Sequence, residues 1–219
     1  MKKVVLSLIV VLTAGYLQAQ IITGNNKNFT VGFDLFTDVW MEQPVGMKAR
    51  TINQGFNVFA TYNFQLVESG RHTFSAGLGI RNHQLFSNTT INDIKADTIV
   101  FSPITNNYKR SKLHVAYLDF PFEFRFRFDN KWKLGVGFKL GIVLDSKTKY
   151  YGDLTATGPR VLQKHKKVNS LEKYTFGPTL RIGYKWISLF GYYQPTHIFT
   201  RDLGPDLYPV SVGITLSPF

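Results

Sequence analysis

The sequence predicts an all-β fold, an eight-stranded antiparallel up-and-down transmembrane β-barrel, and three observations support that prediction. Eight segments alternate apolar and polar residues with a period of two, which is typical of strands and not of helices. The connections between these segments alternate between short turns and long loops, as in membrane barrels. Aromatic residues make up 15% of the 219-residue chain, and Tyr and Trp stand near the ends of predicted strands, as in an interfacial girdle.

The first twenty residues have the three-part layout of a secretory signal peptide. Two lysines precede an apolar run from Val4 to Leu12, and small and polar residues follow it. The run is too short to cross a bilayer, which requires about 20 apolar residues. We therefore predict a signal peptide over residues 1–19 and a barrel domain over residues 20–219, located in the outer membrane of a Gram-negative bacterium.

Three strands are predicted before residue 90. The segments Phe29–Leu35, Phe56–Leu66 and Phe74–Ile80 place aromatic or aliphatic residues at every second position, with mostly Gly, Thr, Asn, Gln or charged residues between them. This alternation predicts strands with one apolar and one polar face.

The fourth strand, Leu118–Phe128, has the clearest alternation in the chain. Its even positions are all Leu or Phe, and its odd positions carry Asp, Pro, Glu, Arg and Arg. A helix would spread these Phe residues around its circumference, whereas a strand gathers them on one face. One face of this strand is therefore apolar, and the other is largely charged.

Four further strands complete the predicted barrel. Trp132–Leu144, Tyr174–Trp186 and Tyr208–Leu216 alternate as the earlier ones do, but Ile187–Phe199 is aromatic on both faces, which leaves its orientation open. We expect the long loops to lie on one side of the membrane and to contain no strands. The two longest of these loops are Ser87–Lys112 and Lys147–Ser170.

Composition indicates that the polar face lines the interior and that the apolar face contacts lipid. A lipocalin-like soluble barrel would have the reverse arrangement. Gly, acidic and basic residues recur on the polar face, where glycine leaves room for long side chains and acids can pair with bases. Trp132, Tyr184 and Trp186 fall near predicted short turns, as an interfacial girdle should. The sequence therefore favours a membrane barrel.

Charged residues on the polar faces are candidates for a network inside the lumen. They form either a conduction or proton-relay path or an electrostatic plug. We favour the plug, because an eight-stranded interior is only wide enough to be filled by side chains. Asp38, Lys133 and Lys185 are further candidates for this face. The predicted network is Asp34, Arg81, Asp119, Glu123, Arg125, Arg127, Lys139 and Arg181.

The chain is basic, with 26 Lys+Arg against 14 Asp+Glu and a formal net charge of +12. Much of the excess falls in the two longest loops, on the predicted outer side where lipopolysaccharide phosphates lie. The expected partners are outer-membrane lipid or lipopolysaccharide and other envelope proteins, and simple solvation of the loops is the alternative. An exported barrel is not expected to bind nucleic acid. The candidate contact residues are Lys109, Arg110, Lys112, Lys164, Lys166 and Lys167.

The sequence predicts no catalytic residue, metal site or cofactor. The chain has no Cys, and its five His residues show no metal-ligand spacing, so we expect each His at a strand end or in a loop. We therefore predict a protein that is not an enzyme. An outer-membrane lipid-modifying enzyme and a small pore are the alternatives.

The octapeptide Tyr117–Phe124, Tyr-Leu-Asp-Phe-Pro-Phe-Glu-Phe, follows a long polar loop and opens a central strand. It resembles the Tyr-Leu-acid-apolar-Pro-apolar signature of the PorT-like outer-membrane β-barrel proteins of Bacteroidota. The Ala19–Gln20 pair and the terminal Phe219 also look like features of such exported barrels. The resemblance implies an eight-stranded outer-membrane barrel with periplasmic turns. Some members of that family take part in type IX secretion and gliding, which implies a non-catalytic scaffold or accessory of an envelope complex.

Overall fold

The computed structural model describes residues 28–153, 155 and 158–217, and strands dominate these residues. Within that part of the chain, no helix is long and apolar enough to cross a membrane. The predicted signal peptide over residues 1–19 and the terminal Phe219 lie outside the described residues. The strands are β1 (Phe29–Met41), β2 (Gln54–Gln65), β3 (His72–Phe86), β4 (Thr89–Ile91), β5 (Phe101–Pro103), β6 (Tyr108–Arg127), β7 (Trp132–Asp153), β8 (Arg160–Lys166), β9 (Tyr174–Tyr184), β10 (Ile187–Tyr193) and β11 (Tyr208–Leu216).

Eight of these strands form a closed antiparallel barrel, as predicted. Around the barrel the order is β1, β2, β3, β6, β7, β9, β10 and β11, and β11 pairs with β1 to close the ring. Each of these neighbours in the ring is also the next barrel strand in sequence, so the topology is up-and-down. The predicted fold class is therefore confirmed.

The two faces of the barrel wall differ in the way that a membrane barrel requires. Along β6, Phe122 and Phe124 are exposed on the outside, whereas Asp119 and Glu123 are buried inside. Exposed apolar side chains continue around the outer wall, and we call this belt the apolar band. It includes Leu35, Val58, Leu78, Phe122, Phe138, Leu140, Phe176, Leu180, Ile182, Leu189 and Ile214. A soluble lipid-binding barrel would place these side chains inside.

The two ends of the barrel have different connections. At one end, the short-turn end, the chain reverses within a few residues after β2, β6 and β9, and the exposed rings of Trp132 and Tyr184 lie 5.8 Å apart. At the other end, the long-loop end, the connections are long and contain additional structure. Tyr and Trp at the boundary of an apolar belt are typical of a membrane interface.

The prediction that the two longest loops contain no strands is wrong. β6 begins at Tyr108 and β7 continues to Asp153, so both extend beyond the apolar band. β4 and β5 form a small hairpin, and β8 pairs with the extension of β7. These elements bury an apolar cap over the long-loop end. The cap comprises Trp40, Met47, Leu85, Ile99, Leu113, Val115, Tyr117, Val168, Ile198, Phe199 and Leu207. Burial of this apolar surface explains the order in the loops.

One irregularity in β7 determines how its extension faces. The β6–β7 register shifts between Ala116 and Tyr117, which pair with Asp145 and Val143, so Leu144 is an extra residue on β7. Such a bulge exchanges the two faces of the strand beyond it. Even-numbered residues of β7 face outward before the bulge, and odd-numbered residues face outward after it.

Candidate functional site

Arg181 on β9 is the centre of a charged cluster in the half of the lumen nearer the short turns. Its Nη2 donates to Asp34 Oδ2 at 3.0 Å, its Nη1 bonds to Glu123, and its Nε donates to Thr215 Oγ1 at 3.0 Å. Asp34 also accepts a hydrogen bond of 2.7 Å from Asn57 Nδ2. One guanidinium therefore joins carboxylates from β1 and β6 across the lumen.

Arg81 on β3 is the centre of a second cluster nearer the long loops. Its Nε lies 2.8 Å from Asp119 Oδ2, and its side chain also donates to Gln194 Oε1 at 3.0 Å and Thr175 Oγ1 at 3.1 Å. Lys139 Nζ lies 3.5 Å from the same Asp119 oxygen. The guanidinium and Asp119 are fully buried, so the lumen is crossed a second time by an ion pair.

Arg81 and Arg181 each lie between two aromatic rings. Charged and aromatic side chains can therefore share the interior, because each ring face contacts a guanidinium. A guanidinium over a ring face gains a cation–π interaction, which strengthens when water is excluded. The distances from Cζ to ring centre are 4.9 Å for Phe59 and Phe190 around Arg181, and 4.7 and 4.6 Å for Tyr117 and Tyr192 around Arg81.

The glycines on the interior face make room for this network. A Cβ atom at Gly135 would lie 2.9 Å from the Glu123 carboxyl carbon, and one at Gly141 would lie 2.7 Å from Asp119 Oδ1. Both distances are too short for ordinary contact, so these positions accommodate the acids of the network.

His83 is buried in the lumen against Trp40 and Tyr117 of the apolar cap. The expectation that every His lies at a strand end or in a loop is wrong for His83 and for His114, which lies well inside β6. The Nδ1 of His83 lies 2.7 Å from Asp38 Oδ2, its Nε2 lies 2.8 Å from Arg81 Nη1, and Ser211 Oγ donates to Asp38 Oδ1 at 2.6 Å. The serine and the histidine both bond to the carboxylate and not to each other. The set therefore lacks the base–nucleophile contact of a catalytic triad.

The network becomes more cationic toward the short-turn end. Arg125 Nε donates to Glu123 Oε1 at 2.5 Å and is partly exposed, and Arg127 and Lys133 lie still closer to that end, around a cavity of about 30 Å³. Lys185 lies in the turn between β9 and β10 and is exposed, so its assignment to the lumen is wrong.

The structure thus brings together Asp34, Glu123, Arg125 and Arg181 in one cluster and Arg81, Asp119 and Lys139 in another. Four carboxylates are buried in the described strands, and each lies within 3.0 Å of an arginine or histidine nitrogen. Sequence reasoning missed the aromatic partners and His83. His83 shares the parity of Arg81 in β3, so extending the alternation by two residues would have found it. Among the described residues, no group of His, Asp and Glu is arranged to hold a metal ion.

The octapeptide Tyr117–Phe124 supplies parts of both clusters. Its odd positions face the interior, where Tyr117 covers Arg81, and Asp119 and Glu123 bind the two arginines. The β3–β6 pairing is interrupted opposite Pro121, which has no N–H to donate. The motif therefore serves the interior of the barrel and presents no polar side chain to a partner.

The candidate contact residues lie outside the lumen at the long-loop end. Arg110 and Lys112 are on the extension of β6, and Lys164 and Lys166 are on β8, which is joined to β6 through β7. Lys109 and Arg110 line the same outer groove. Lys167 lies outside the strands, in the turn after β8, where its φ is 60°. The structure therefore brings five of the six together on one side of the barrel.

A cleft of about 480 Å³ lies on the inner side of the same extension, between it and the β4–β5 hairpin. Its lining is mixed, with Thr148, Tyr150, Gln163 and His165 from β7 and β8 and Phe101 from β5. The long-loop end thus offers both an inner cleft and an outer wall to the surroundings.

His114 lies beyond the apolar band on the outer side of β6. Partial burial and then the charges of Lys147 and Lys112 lower its pKa from 6.5 to about 4. As the pH falls, the His114 imidazole is protonated near pH 6.5 in the unfolded chain but only near pH 4 in the folded chain. The stability conferred by the neutral imidazole is therefore present above pH 6.5 and is lost as the pH falls toward 4.

Replacement of Lys147 by glutamine should raise the pKa of His114, because it removes one of the two repelling cations. The measurement is an NMR titration of His114 in detergent-solubilised protein. The matched control is Lys173→Gln, which removes an exposed lysine that does not contribute to the shift, and it should leave the titration unchanged. An unchanged His114 pKa in the Lys147 variant would contradict the proposed coupling.

Comparison with a family model agrees with the observed fold. The sequence profile described as "Outer membrane protein beta-barrel domain" matches residues 18–201. Among solved structures, the chain is similar to Ail, the attachment invasion locus protein of Yersinia pestis, in complex with the heparin analogue sucrose octasulfate. The identity is 11% and the TM-score 0.35, over 87% of this chain and 96% of that one. A mutant porin of Rh. blastica is similar at 9% identity and a TM-score of 0.22, over 87% and 98%. No curated protein matches the chain.

Proposed function

The chain belongs to the outer membrane protein beta-barrel domain family, and from this premise we propose that it is a non-catalytic integral outer-membrane protein that acts as a scaffold or accessory of an envelope complex. The barrel is the membrane anchor in this proposal. The packed elements at the long-loop end are the surface that a partner contacts, and that end faces the outside of the cell.

The observation that supports this proposal best is the filled interior. Two arginine-centred clusters cross the lumen, and the apolar cap covers them at the long-loop end. Buried ion pairs with good geometry and extra hydrogen bonds persist, and removal of one partner is costly. An interior of this kind leaves no wide path for a solute, so we assign the function to the surfaces.

Planar-bilayer recordings of the purified full-length protein should show no stable large channels, because long side chains occupy an interior of eight-strand width. A porin reconstituted in the same way serves as the positive control. Reproducible large conductance steps from this protein would contradict the proposal and would favour the pore alternative.

The identity of the envelope complex is a second part of the proposal. The octapeptide Tyr117–Phe124 resembles the PorT-like signature, and we therefore propose type IX secretion or gliding as the process served. Since the octapeptide contributes to the lumen, the partner surface must lie elsewhere. The β7–β8 hairpin is the best candidate, because it projects beyond the closed barrel.

Truncation of the β7–β8 hairpin tests this assignment. Thr148 and His165 are direct cross-strand partners, so the segment 149–164 can be replaced by Asn-Gly, which suits a two-residue turn. We expect a folded, heat-modifiable barrel that no longer captures its protein partner when cross-linked in native outer membranes. Alanine at Glu68 and Ser69, in the β2–β3 turn at the opposite end, is the control. Loss of the partner in the control and not in the truncation would refute the assignment.

A further inference from the structure

Cations from three adjacent strands stand directly opposite one another on the outer wall of the barrel. Residues opposite each other in antiparallel strands share a face, with Cβ atoms about 5 Å apart. Farther from the apolar band, Arg110 pairs with Tyr151, which pairs with Leu162. Two rungs nearer the band, which we call the cationic rows, are Lys112–Lys149–Lys164 and His114–Lys147–Lys166, each in the order β6, β7 and β8. In the second row the two lysines are the cations, because His114 is neutral at neutral pH.

This arrangement is unfavourable for the protein alone, although Lys112 Nζ donates to Gln84 Oε1 at 2.6 Å and lies over the Phe86 ring. Like charges that stand directly opposite each other in a sheet are destabilising. Burial and the charges of Arg110, Lys149 and Lys147 lower the pKa of Lys112. Among the residues that the structure describes, the carboxylate in ion-pair contact with the rows is that of Asp145, 3.5 Å from Lys147 Nζ. A bound anion would relieve this repulsion.

The position of the cationic rows indicates where that anion lies. On β7 the outward apolar residues extend from Trp132 to Leu144, about 30 Å along the barrel axis at a strand tilt of about 40°. Lys147 follows about 8 Å beyond Leu144 along the barrel axis on the same outward wall, at the same rise and tilt. The rows therefore face sideways, into the layer where lipid headgroups meet the barrel, and they continue the lipid-facing surface.

A shallow groove on this wall has the mixed chemistry of a lipid headgroup site. It has a volume of about 260 Å³ and is lined by Lys109, Arg110, Lys149, Tyr151 and Leu162. The cations can bind phosphate oxygens, and the ring and the aliphatic side chain can pack against sugar or acyl carbons. A soluble anion such as free phosphate would make no contact with the apolar part of the groove that stabilises its binding.

We infer that the cationic rows bind the phosphate groups of a phosphorylated glycolipid, the lipid A part of lipopolysaccharide, in the outer leaflet beside the barrel. This inference rests on the proposed orientation, in which the long-loop end is extracellular. The phosphates lie across β6, β7 and β8 and offset the repulsion between the lysines. The lipid chains continue along the apolar band of β6 and β7.

The test compares lipid retention in matched variants of the full-length protein. The variant Lys149→Gln/Lys164→Gln/Lys166→Gln removes three cations of the rows, and Lys48→Gln/Lys173→Gln/Arg201→Gln removes three exposed cations elsewhere. Each protein is reconstituted in phosphatidylcholine vesicles that contain lipid A, extracted in mild detergent, and the lipid A bound per barrel is counted by mass spectrometry. A parallel set uses dephosphorylated lipid A.

We expect the affinity of the row variant for phosphorylated lipid A to fall by on the order of a hundredfold, since each surface cation near an anionic lipid contributes about 1 kcal/mol. The control variant should retain lipid A as the unmodified chain does, and dephosphorylated lipid A should not be retained. Equal retention by the two variants, or of the two lipids, would overturn the inference. Displacement of lipid A by an equivalent concentration of inorganic phosphate would assign the rows to free phosphate and also overturn it.

The lipid count and the partner capture have different readouts, and because the hairpin truncation also removes Lys149 and Lys164, the row variant is measured in both. Loss of the protein partner in the row variant with unchanged lipid A retention would assign the rows to a protein and overturn the lipid inference. Loss of lipid A with every protein partner retained would support the lipid inference, whatever becomes of the scaffold proposal.

Discussion

Replacement of Arg181 by methionine should lower the free energy of unfolding of the barrel by about 3–5 kcal/mol, the cost of leaving a buried charge without its partner. Arg181 bonds to both Asp34 and Glu123, which are almost completely buried. Without the guanidinium, these two carboxylates lose their shared cation in a medium of low dielectric constant. The measurement is the urea midpoint of heat-modifiable folding in detergent or in lipid vesicles.

Two further variants separate the electrostatic cause from lost packing. Arg125→Met, at the partly exposed end of the cluster, should cost less, because Glu123 keeps its bond to Arg181. The triple variant Arg181→Met/Asp34→Asn/Glu123→Gln should recover much of the loss, since it removes both the cation and the charges that needed it. If the triple variant were as unstable as Arg181→Met alone, packing of the side chain between Phe59 and Phe190 would be the main contribution.

The eight barrel strands were predictable because membrane and interior select opposite residue types at successive positions. On β6 every outward residue from Leu118 to Phe126 is Leu or Phe, and the inward ones include Asp119, Glu123 and Arg125. Such a pattern persists only where one face of a strand contacts lipid and the other face contacts the polar interior. Local periodicity was therefore sufficient to identify these strands.

The extension of β7 was not predictable in the same way, because the apolar band no longer constrains its outward face. The extra residue at Leu144 exchanges the two faces, so Lys147 and Lys149 face outward although their parity matches that of interior residues such as Lys139. A one-residue bulge shifts the phase of an alternation, but the residues after Leu144 have no clear apolar–polar alternation in which such a shift could be seen. The cationic rows thus depend on a register that only the paired strands reveal.

The apolar cap and the orientation of β10 could not be predicted from the sequence for different reasons. The cap residues come from segments distant in sequence, such as Met47, Ile99 and Leu207, and each segment is short and rich in polar residues. On β10, Phe190 and Tyr192 face inward, where they cover the two arginines. An aromatic residue is compatible with both lipid and a buried guanidinium, so composition did not indicate the face.

The second large effect is expected on the outer wall, where replacement of Phe122 by arginine should destabilise the barrel by about 2–4 kcal/mol. Phe122 lies opposite Phe138, midway along the apolar stretch of β7, and it is exposed on the outside. An arginine at that depth must hold its charge in hydrocarbon or thin the bilayer around it, and the apolar band has no acidic member among the residues that the structure describes. The measurement is the folded fraction and urea midpoint in phosphatidylcholine vesicles.

Phe128→Arg is the matched control for depth, because Phe128 is equally apolar and also exposed, but follows the end of β6 at the short turns. Near the interface the cost of arginine falls to about 0–1 kcal/mol, so this variant should fold almost as the unmodified protein does. The difference between the two variants should shrink in detergent micelles, which adapt to a charged side chain more readily than a bilayer does. Equal tolerance of both changes in vesicles would mean that Phe122 does not face the hydrocarbon core, and the assignment of the apolar band to lipid would be wrong.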